Sequence, residues 1–289
     1  MYHCCNIRKL LRFLVIDMVV LILAAICTTV GKFYAASNRP PDGIFLPILM
    51  YHSITEGPEN EFRVTPETLE ADLQYLSQHG YQSVSAQQLV DYTNGIGTLP
   101  EHPVMITFDD GFYNNLSLAL PILEQYQMCA IVSTVGIFTE MLAPDAPHVD
   151  AYSYLTWEDL RTMLQSDWIE LGNHTYDMHS NGARCGCRKM DWETEEDYHT
   201  FFSADVQILQ NRCREELNQV PIVFAYPYGF VCQESNAVLK DAGFLLTLTC
   251  LEKPNYITKD PNCLYDLNRY NRSGFLSTET YMQRILSES

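Results

Sequence analysis

Basic residues are the scarce class in this chain of 289 residues: 18 Lys and Arg stand against 36 Asp and Glu, a formal net charge of −18. Nucleic-acid binding calls for a clustered basic stripe, so no nucleic-acid partner is expected. Charged residues make up 19% and hydrophobic residues 47%, which excludes a disordered chain and leaves material for a sizeable core. Paired zinc-finger cysteines are also missing. Of 10 cysteines, Cys4, Cys5 and Cys27 lie near the N-terminus; the others are Cys129, Cys185, Cys187, Cys213, Cys232, Cys250 and Cys263. That odd set cannot all pair, and several members sit in apolar runs where a free thiol acts as a small hydrophobe. Cys185-Gly-Cys187 resembles a metal or redox pair, but no second pair stands at zinc-finger spacing. One accessory disulfide stays open, and a structural zinc is not expected.

Long apolar runs are absent except for one. Arg8, Lys9 and Arg12 precede Phe13–Val30, a stretch of the length that crosses a bilayer. Basic residues before such a run keep the N-terminus cytoplasmic and send the rest outward. The expectation is an uncleaved single-pass anchor with Asp17 near its cytoplasmic end. The alternative is a cleaved signal peptide, because Ala35-Ala36-Ser37 follows the run. Residues 1–36 are thus read as cytoplasmic stub and anchor, 37–45 as a linker and 46–289 as one domain outside the cytoplasm, membrane-bound or secreted.

Within that domain, strand-like runs alternate with helical patterns. Strands are predicted at Phe45–Tyr51, Tyr81–Val84, Val104–Phe108, Ala130–Val135, Trp168–Leu171, Ile222–Ala225 and Phe244–Thr249. Helices are predicted from Thr65-Pro66 to Gly80 and over Ser85–Tyr92, Asn115–Tyr126, Thr156 to Ser166, Glu196–Leu217, Ser235–Asp241 and Thr278–Leu286. Thr65 and Thr156 stand as N-caps, the latter with Asp159 at capping-box spacing. The alternation predicts an α/β fold, a distorted barrel of about seven parallel strands with crossover helices.

In such barrels chemistry gathers at the C-terminal ends of strands. Four predicted strands end in unusual polar residues: His52, Asp109-Asp110, His174 and Tyr226-Pro227-Tyr228-Gly229. Two adjacent carboxylates after a buried strand need a cation or a shared proton if both face one space. Alone, Asp-Asp-Gly reads equally as an Asx turn before the next helix. His174 and His179 are five residues apart, about 140° around a helix, so they share a site only if the chain turns after the strand. Two imidazoles, one carboxylate and a water make a catalytic zinc-type site with an open position. One aspartate would then hold the metal and the other would manage protons. His79, His102, His148 and His199 read as capping, loop or surface residues. Tyr152, Tyr154, Trp157 and Trp192 are candidates for sugar stacking, or else for core and lid packing.

Thr107-Phe108-Asp109-Asp110-Gly111, with His174 to His179 and Tyr226-Pro227-Tyr228-Gly229, resembles the polysaccharide deacetylase family, carbohydrate esterase family 4. Pro47-Ile48-Leu49-Met50-Tyr51-His52 and the wide histidine spacing resemble its exopolysaccharide branch, which acts on poly-N-acetylglucosamine. The resemblance implies a metal-dependent hydrolase that removes N-acetyl groups from an extracellular N-acetylglucosamine polymer, peptidoglycan included. It implies Asp109 as general base and Asp110, His174 and His179 as ligands of a divalent ion, zinc first, with cobalt, nickel or iron as alternatives. It implies the Tyr228 backbone N–H as oxyanion donor, with Tyr226, Pro227 and Gly229 shaping that loop. Two departures follow. The arginine that begins the family's third motif is Ala225 here, with Arg269 or Arg272 as substitutes. The late histidine acid is also missing, since none follows His199. His52 is the candidate acid if strand order is circularly permuted; otherwise it is a hydrogen-bonded core histidine. O-acetyl ester hydrolysis of xylan-type glycans and a catalytically dead glycan-binding protein remain the alternatives.

Overall fold

A computed structural model describes residues 42–143 and 146–287, together with Met18, Val20 and Pro40. The chain divides into two compact units, Met1–Gly43 and Ile44–Ser289. The anchor expected over Phe13–Val30 lies, Met18 and Val20 apart, outside the described residues. Among the described residues no helix is long and apolar enough to cross a membrane.

The second unit is organised on the strand that carries the paired aspartates. β6 (Pro103–Phe108) is buried at all six positions, as expected for a central parallel strand covered on both faces. It is flanked by β2 (Ile48–Tyr51) and β7 (Ala130–Thr134). Beyond these lie β8 (Ile169–Asn173), β9 (Val223–Ala225), β10 (Leu246–Leu248) and, on the other edge, β12 (Tyr270–Asn271). The order β10-β9-β8-β7-β6-β2-β12 is parallel throughout, with β5 (Gln82–Ser83) added at the start of β6. An isolated parallel bridge from Leu248 to Leu267 ties the β10 edge to the segment entering β12. The sheet is therefore a half-barrel of seven parallel strands, its β10 edge linked by backbone hydrogen bonds to the segment just before β12.

Strand periodicity sorts the core into two layers. Val104, Ile106 and Phe108 face outward with Leu49, Tyr51 and Val132 against helical Leu69, Leu73, Leu160 and Leu209. Met105 faces inward with Ile48, Ile131, Val223 and Leu246. Each such fully buried side chain stabilises the fold by about 1.5–3 kcal/mol. The inward row of β6 runs Met105, Thr107, Asp109, so the same alternation that packs the barrel delivers Asp109 to its mouth.

Helices begin at the hydroxyl caps expected at Thr65 and Thr156, and at a third cap, Ser85, which the sequence pattern places as the first helical residue. Thr65 caps Pro66–Gln78, Ser85 caps Ala86–Thr93 in a capping box with Gln88, and Thr156 caps Trp157–Met163 in a box with Asp159. Helices Glu195–Leu217, Ser235–Asp241 and Thr278–Leu286 complete the outer layer. The helix expected over Asn115–Tyr126 is split. A π-helical turn, Asn115–Ala119, precedes the α-helix Leu120–Tyr126. Pro121 has no N–H for the Ser117 carbonyl, and its ring crowds the preceding turn. Four short strands outside the barrel were not legible as separate periodic runs. β1 (Ile44–Phe45) pairs antiparallel with β11 (Tyr256–Ile257), and β3 (Ser53–Ile54) pairs with β4 (Arg63–Val64). The seven described cysteines are free thiols.

Candidate active site

The mouth of the barrel opens a pocket of about 550 Å³ lined by Met50, His52, Phe62, Asp109, Asp110, His174, His179, Tyr228 and Cys250. A cavity of about 590 Å³ elsewhere, bounded by Ser83, Ser85, Cys129 and Trp168, is no smaller. Size alone does not choose between them. The chemistry does, because only the first draws together a cluster of metal-ligating side chains among the described residues.

Asp110, His174 and His179 each point one ligand atom at a common space, all within 4.8 Å of one another. His179 Nε2 lies 3.1 Å and His174 Nε2 3.6 Å from Asp110 Oδ1. Ligands around a tetrahedral ion with bonds of about 2.0–2.1 Å stand about 3.3 Å apart, so the set fits a zinc-sized ion. Two further observations agree. Asp110 Oδ1 is buried and makes no hydrogen bond of good geometry. His174 Nδ1 lies 2.7 Å from the Ala225 carbonyl. A carbonyl only accepts, so Nδ1 carries the proton and the Nε2 lone pair is left for the site. Burial holds the His174 pKa down despite Asp109 and Asp110 nearby. Burial also opposes the charge on Asp110, yet the three histidines around it hold its carboxyl below the usual range. Neutral imidazole and ionised carboxylate are the ligating forms.

The backbone is strained where it presents this set. Asp110 has φ 70°, Thr175 φ 73° and Tyr228 φ 57°, left-handed values that non-glycine residues rarely adopt. Gly111 follows Asp110 with φ 71°, and a Cβ there would stand 2.8 Å from Thr134 Cγ2 and 3.3 Å from Thr134 Cα. The glycine of the motif is thus required by conformation and by space.

Asp109 is held separately. Arg269 Nη1 donates to Oδ1 and Nη2 to Oδ2, both at 2.7 Å. The guanidinium is itself fully buried, with Nε on the Thr249 carbonyl at 2.9 Å and Nη1 also on Thr107 Oγ1 at 3.1 Å. Burial opposes the charge on Asp109, but Arg269, His174 and His52 outweigh it and hold the carboxyl well below the usual range. Of the two arginines left open by sequence, the structure selects Arg269. Arg272 binds Asp72 instead, through Nε at 2.6 Å and Nη2 at 3.2 Å. Position 225, where the family arginine was expected, contributes its carbonyl to His174 rather than a side chain.

His52 lines the same pocket, its ring edge-on to Phe62 at 5.0 Å between centroids. Its Nδ1 is buried without a hydrogen-bond partner, so the hydrogen-bonded core histidine is not what is observed. Burial depresses its pKa, partly offset by Asp110 and Asp109. Of the loop Tyr226–Gly229, only Tyr228 lines the pocket, with its ring 4.7 Å from that of His179. Tyr226 is turned into the core, its hydroxyl on Asn236 Oδ1 at 3.0 Å. Pro227 is buried, and Gly229 packs where a Cβ would meet Cys250 at 2.7 Å. These three shape the loop without reaching the pocket. Tyr154 stacks on Phe112 and Phe138, whereas Tyr152 and Trp192 are exposed. His148 and His199 pair locally with Asp159 and Asp241.

A curved parallel sheet thus presents an Asp-His-His set and an arginine-held aspartate at its C-terminal mouth. Residues 96–246 match the family described as Polysaccharide deacetylase, and the chain belongs to that family. It is 26% identical over 242 residues to the poly-beta-1,6-N-acetyl-D-glucosamine N-deacetylase of Escherichia coli O157:H7, covering 75% of this chain and 35% of that protein. The chain thus spans about a third of that relative's length. The fold is similar to a solved de-N-acetylase from Aggregatibacter actinomycetemcomitans, with TM-score 0.70 and 23% identity over 85% of this chain and 100% of that one. IcaB from Ammonifex degensii is similar as well, with TM-score 0.67 and 23% identity over 86% and 97% of the two chains. At these identities the likeness is one of fold.

Proposed function

We propose that this chain is a metal-dependent hydrolase that removes N-acetyl groups from an N-acetylglucosamine-containing polysaccharide, poly-N-acetylglucosamine or peptidoglycan. The observation that carries the reading is the separation of duties between adjacent aspartates: Asp110 converges with two histidines while Asp109 is clamped by Arg269. Asp110, His174 and His179 would hold the divalent ion, zinc first, which when bound polarises the acetamide carbonyl and acidifies a water. Asp109, kept ionised by Arg269, accepts the proton of the attacking water. The Tyr228 N–H stabilises the negative oxygen that develops as the carbonyl is attacked. His52, whose imidazolium is a ready donor because burial disfavours it, passes a proton to the nitrogen as the C–N bond breaks. Acetate and a free amine result.

The position of β2 between β6 and β12 supports a circularly permuted strand order, with His52 reaching the site from the N-terminal end of the domain. Ala225 and the missing late histidine were the reasons to consider a dead glycan-binding protein; Arg269 on Asp109 and His52 in the same pocket support the catalytic reading instead. We extend the proposal to location: the basic-flanked run Phe13–Val30 anchors a catalytic domain, 46–289, outside the cytoplasm. Purified protein with added Zn²⁺ or Co²⁺ should release acetate from poly-N-acetylglucosamine, chitin fragments or peptidoglycan. No release from any of them ends the N-deacetylase reading, and faster release from O-acetylated xylan favours the esterase. Fractionation of cells expressing the full chain, with protease added outside, tests the location.

A further inference from the structure

The turn that joins His174 to His179 is neither helix nor strand, yet its backbone donors are held one by one. The N–H of His174 donates to the Thr134 carbonyl at 3.0 Å and that of Thr175 to Asn173 Oδ1 at 2.8 Å. The N–H of Met178 donates to Thr175 Oγ1 at 3.2 Å. Two donors at the centre of the turn remain, Tyr176 and Asp177. Both go to one carboxylate: Asp205 Oδ1 and Oδ2 accept them at 2.8 Å each. Asp205 is buried on the helix Glu195–Leu217, and the same helix packs Phe202 and Val206 in one cluster with Met178 of the turn.

The geometry has a chemical consequence. Two imidazoles five residues apart meet at one point only if the chain between them follows a single path. That path includes Thr175 at φ 73°, a conformation that reverts unless its surroundings hold it. A carboxylate accepting two consecutive backbone N–H groups makes charge-assisted bonds, which are shorter and stronger than neutral ones. We propose that Asp205 is a positioning residue of the site: by clamping Tyr176 and Asp177 it sets the approach of His174 and His179 to Asp110. The assignment rests on the metal reading given above. Asparagine is not an equivalent, since its NH₂ would face one of the two backbone donors.

The test is Zn²⁺ affinity of the purified full chain, measured by competition with a chelating dye, with far-UV circular dichroism alongside. Asp205→Asn and Asp205→Ala should bind Zn²⁺ roughly 10- to 100-fold more weakly while keeping their helical signal, as for other residues that orient metal ligands. Val206→Ala, which removes packing at the neighbouring position, should keep the wild-type affinity. If Asp205→Ala does not fold, Asp205→Asn decides. Wild-type affinity in Asp205→Asn overturns the proposal, as does an equal loss in Val206→Ala. If the wild-type chain binds no Zn²⁺, or binds it no better than Asp110→Asn, the metal reading itself fails and takes the proposal with it.

Discussion

Arg269 grips Asp109 through both terminal nitrogens at 2.7 Å, joining residues 160 positions apart in a fully buried pair. The two hydrogen bonds make one bidentate contact that engages both Asp109 oxygens and holds the carboxylate apart from the metal-ligating set. The pairing is what allows two adjacent carboxylates to face one pocket with different tasks.

Breaking that pair from one side leaves the other charge buried and alone. Arg269→Met is expected to destabilise the fold by about 3–5 kcal/mol, the range for an uncompensated buried ion. Asp109→Asn should abolish acetate release while Zn²⁺ stays bound, because Asp109 is not among the converging ligands. Denaturant unfolding and metal content after dialysis check the two halves. Wild-type turnover in Asp109→Asn removes it from the mechanism.

Gly111→Ala places a methyl group 2.8 Å from Thr134 Cγ2 on a residue at φ 71°. A cost of about 1–3 kcal/mol is expected from the conformation alone, and Asp110 next to it should shift. The variant should melt lower and bind Zn²⁺ more weakly; an unchanged melting curve contradicts the packing described.

The metal-ligating set should behave as a unit. A chelator should remove activity, Zn²⁺ or Co²⁺ should restore it, and His179→Ala or Asp110→Asn should not be restored. Metal-dependent recovery of either variant at low ion concentration argues against three shared ligands.

Metal-free protein should lose stability as pH falls through the histidine range. Burial lowers the pKa values of His174 and His52 in the fold, so the unfolded chain binds their protons first. The stability carried by the neutral rings is therefore complete above about 6.5, the unfolded value, and is lost as pH falls toward the folded one. The depressed carboxyl of Asp109 adds a second loss further down, beginning below about 4. His174→Gln should flatten the first decline. Equal slopes for variant and wild type between pH 7 and 5 would remove His174 as its source.

Much of the site was legible because it sits where strands end. Asp109, Asp110 and His174 follow buried apolar runs, and period-two alternation from Met105 through Thr107 puts Asp109 on the inner row. Hydroxyl caps such as Thr156 with Asp159 marked helix starts, because those signals are local. Pro121 shows the limit of that approach: the apolar pattern around it reads as one helix, while its missing N–H splits the segment into a π turn and an α-helix.

Sequence alone thus determined the alternation of strand and helix, the polar residues at the strand ends and the need for a compensating partner beside two carboxylates. Tertiary structure decided which partner. Arg269 and Arg272 lie three residues apart in a stretch with no periodic pattern, yet one threads the barrel to Asp109 and the other turns outward to Asp72. A buried charge is placed by the counter-charge that can reach it in three dimensions, and neither spacing nor propensity records that distance. Asp205 is a helical carboxylate like many others in the chain, and only the fold shows it against the turn between His174 and His179.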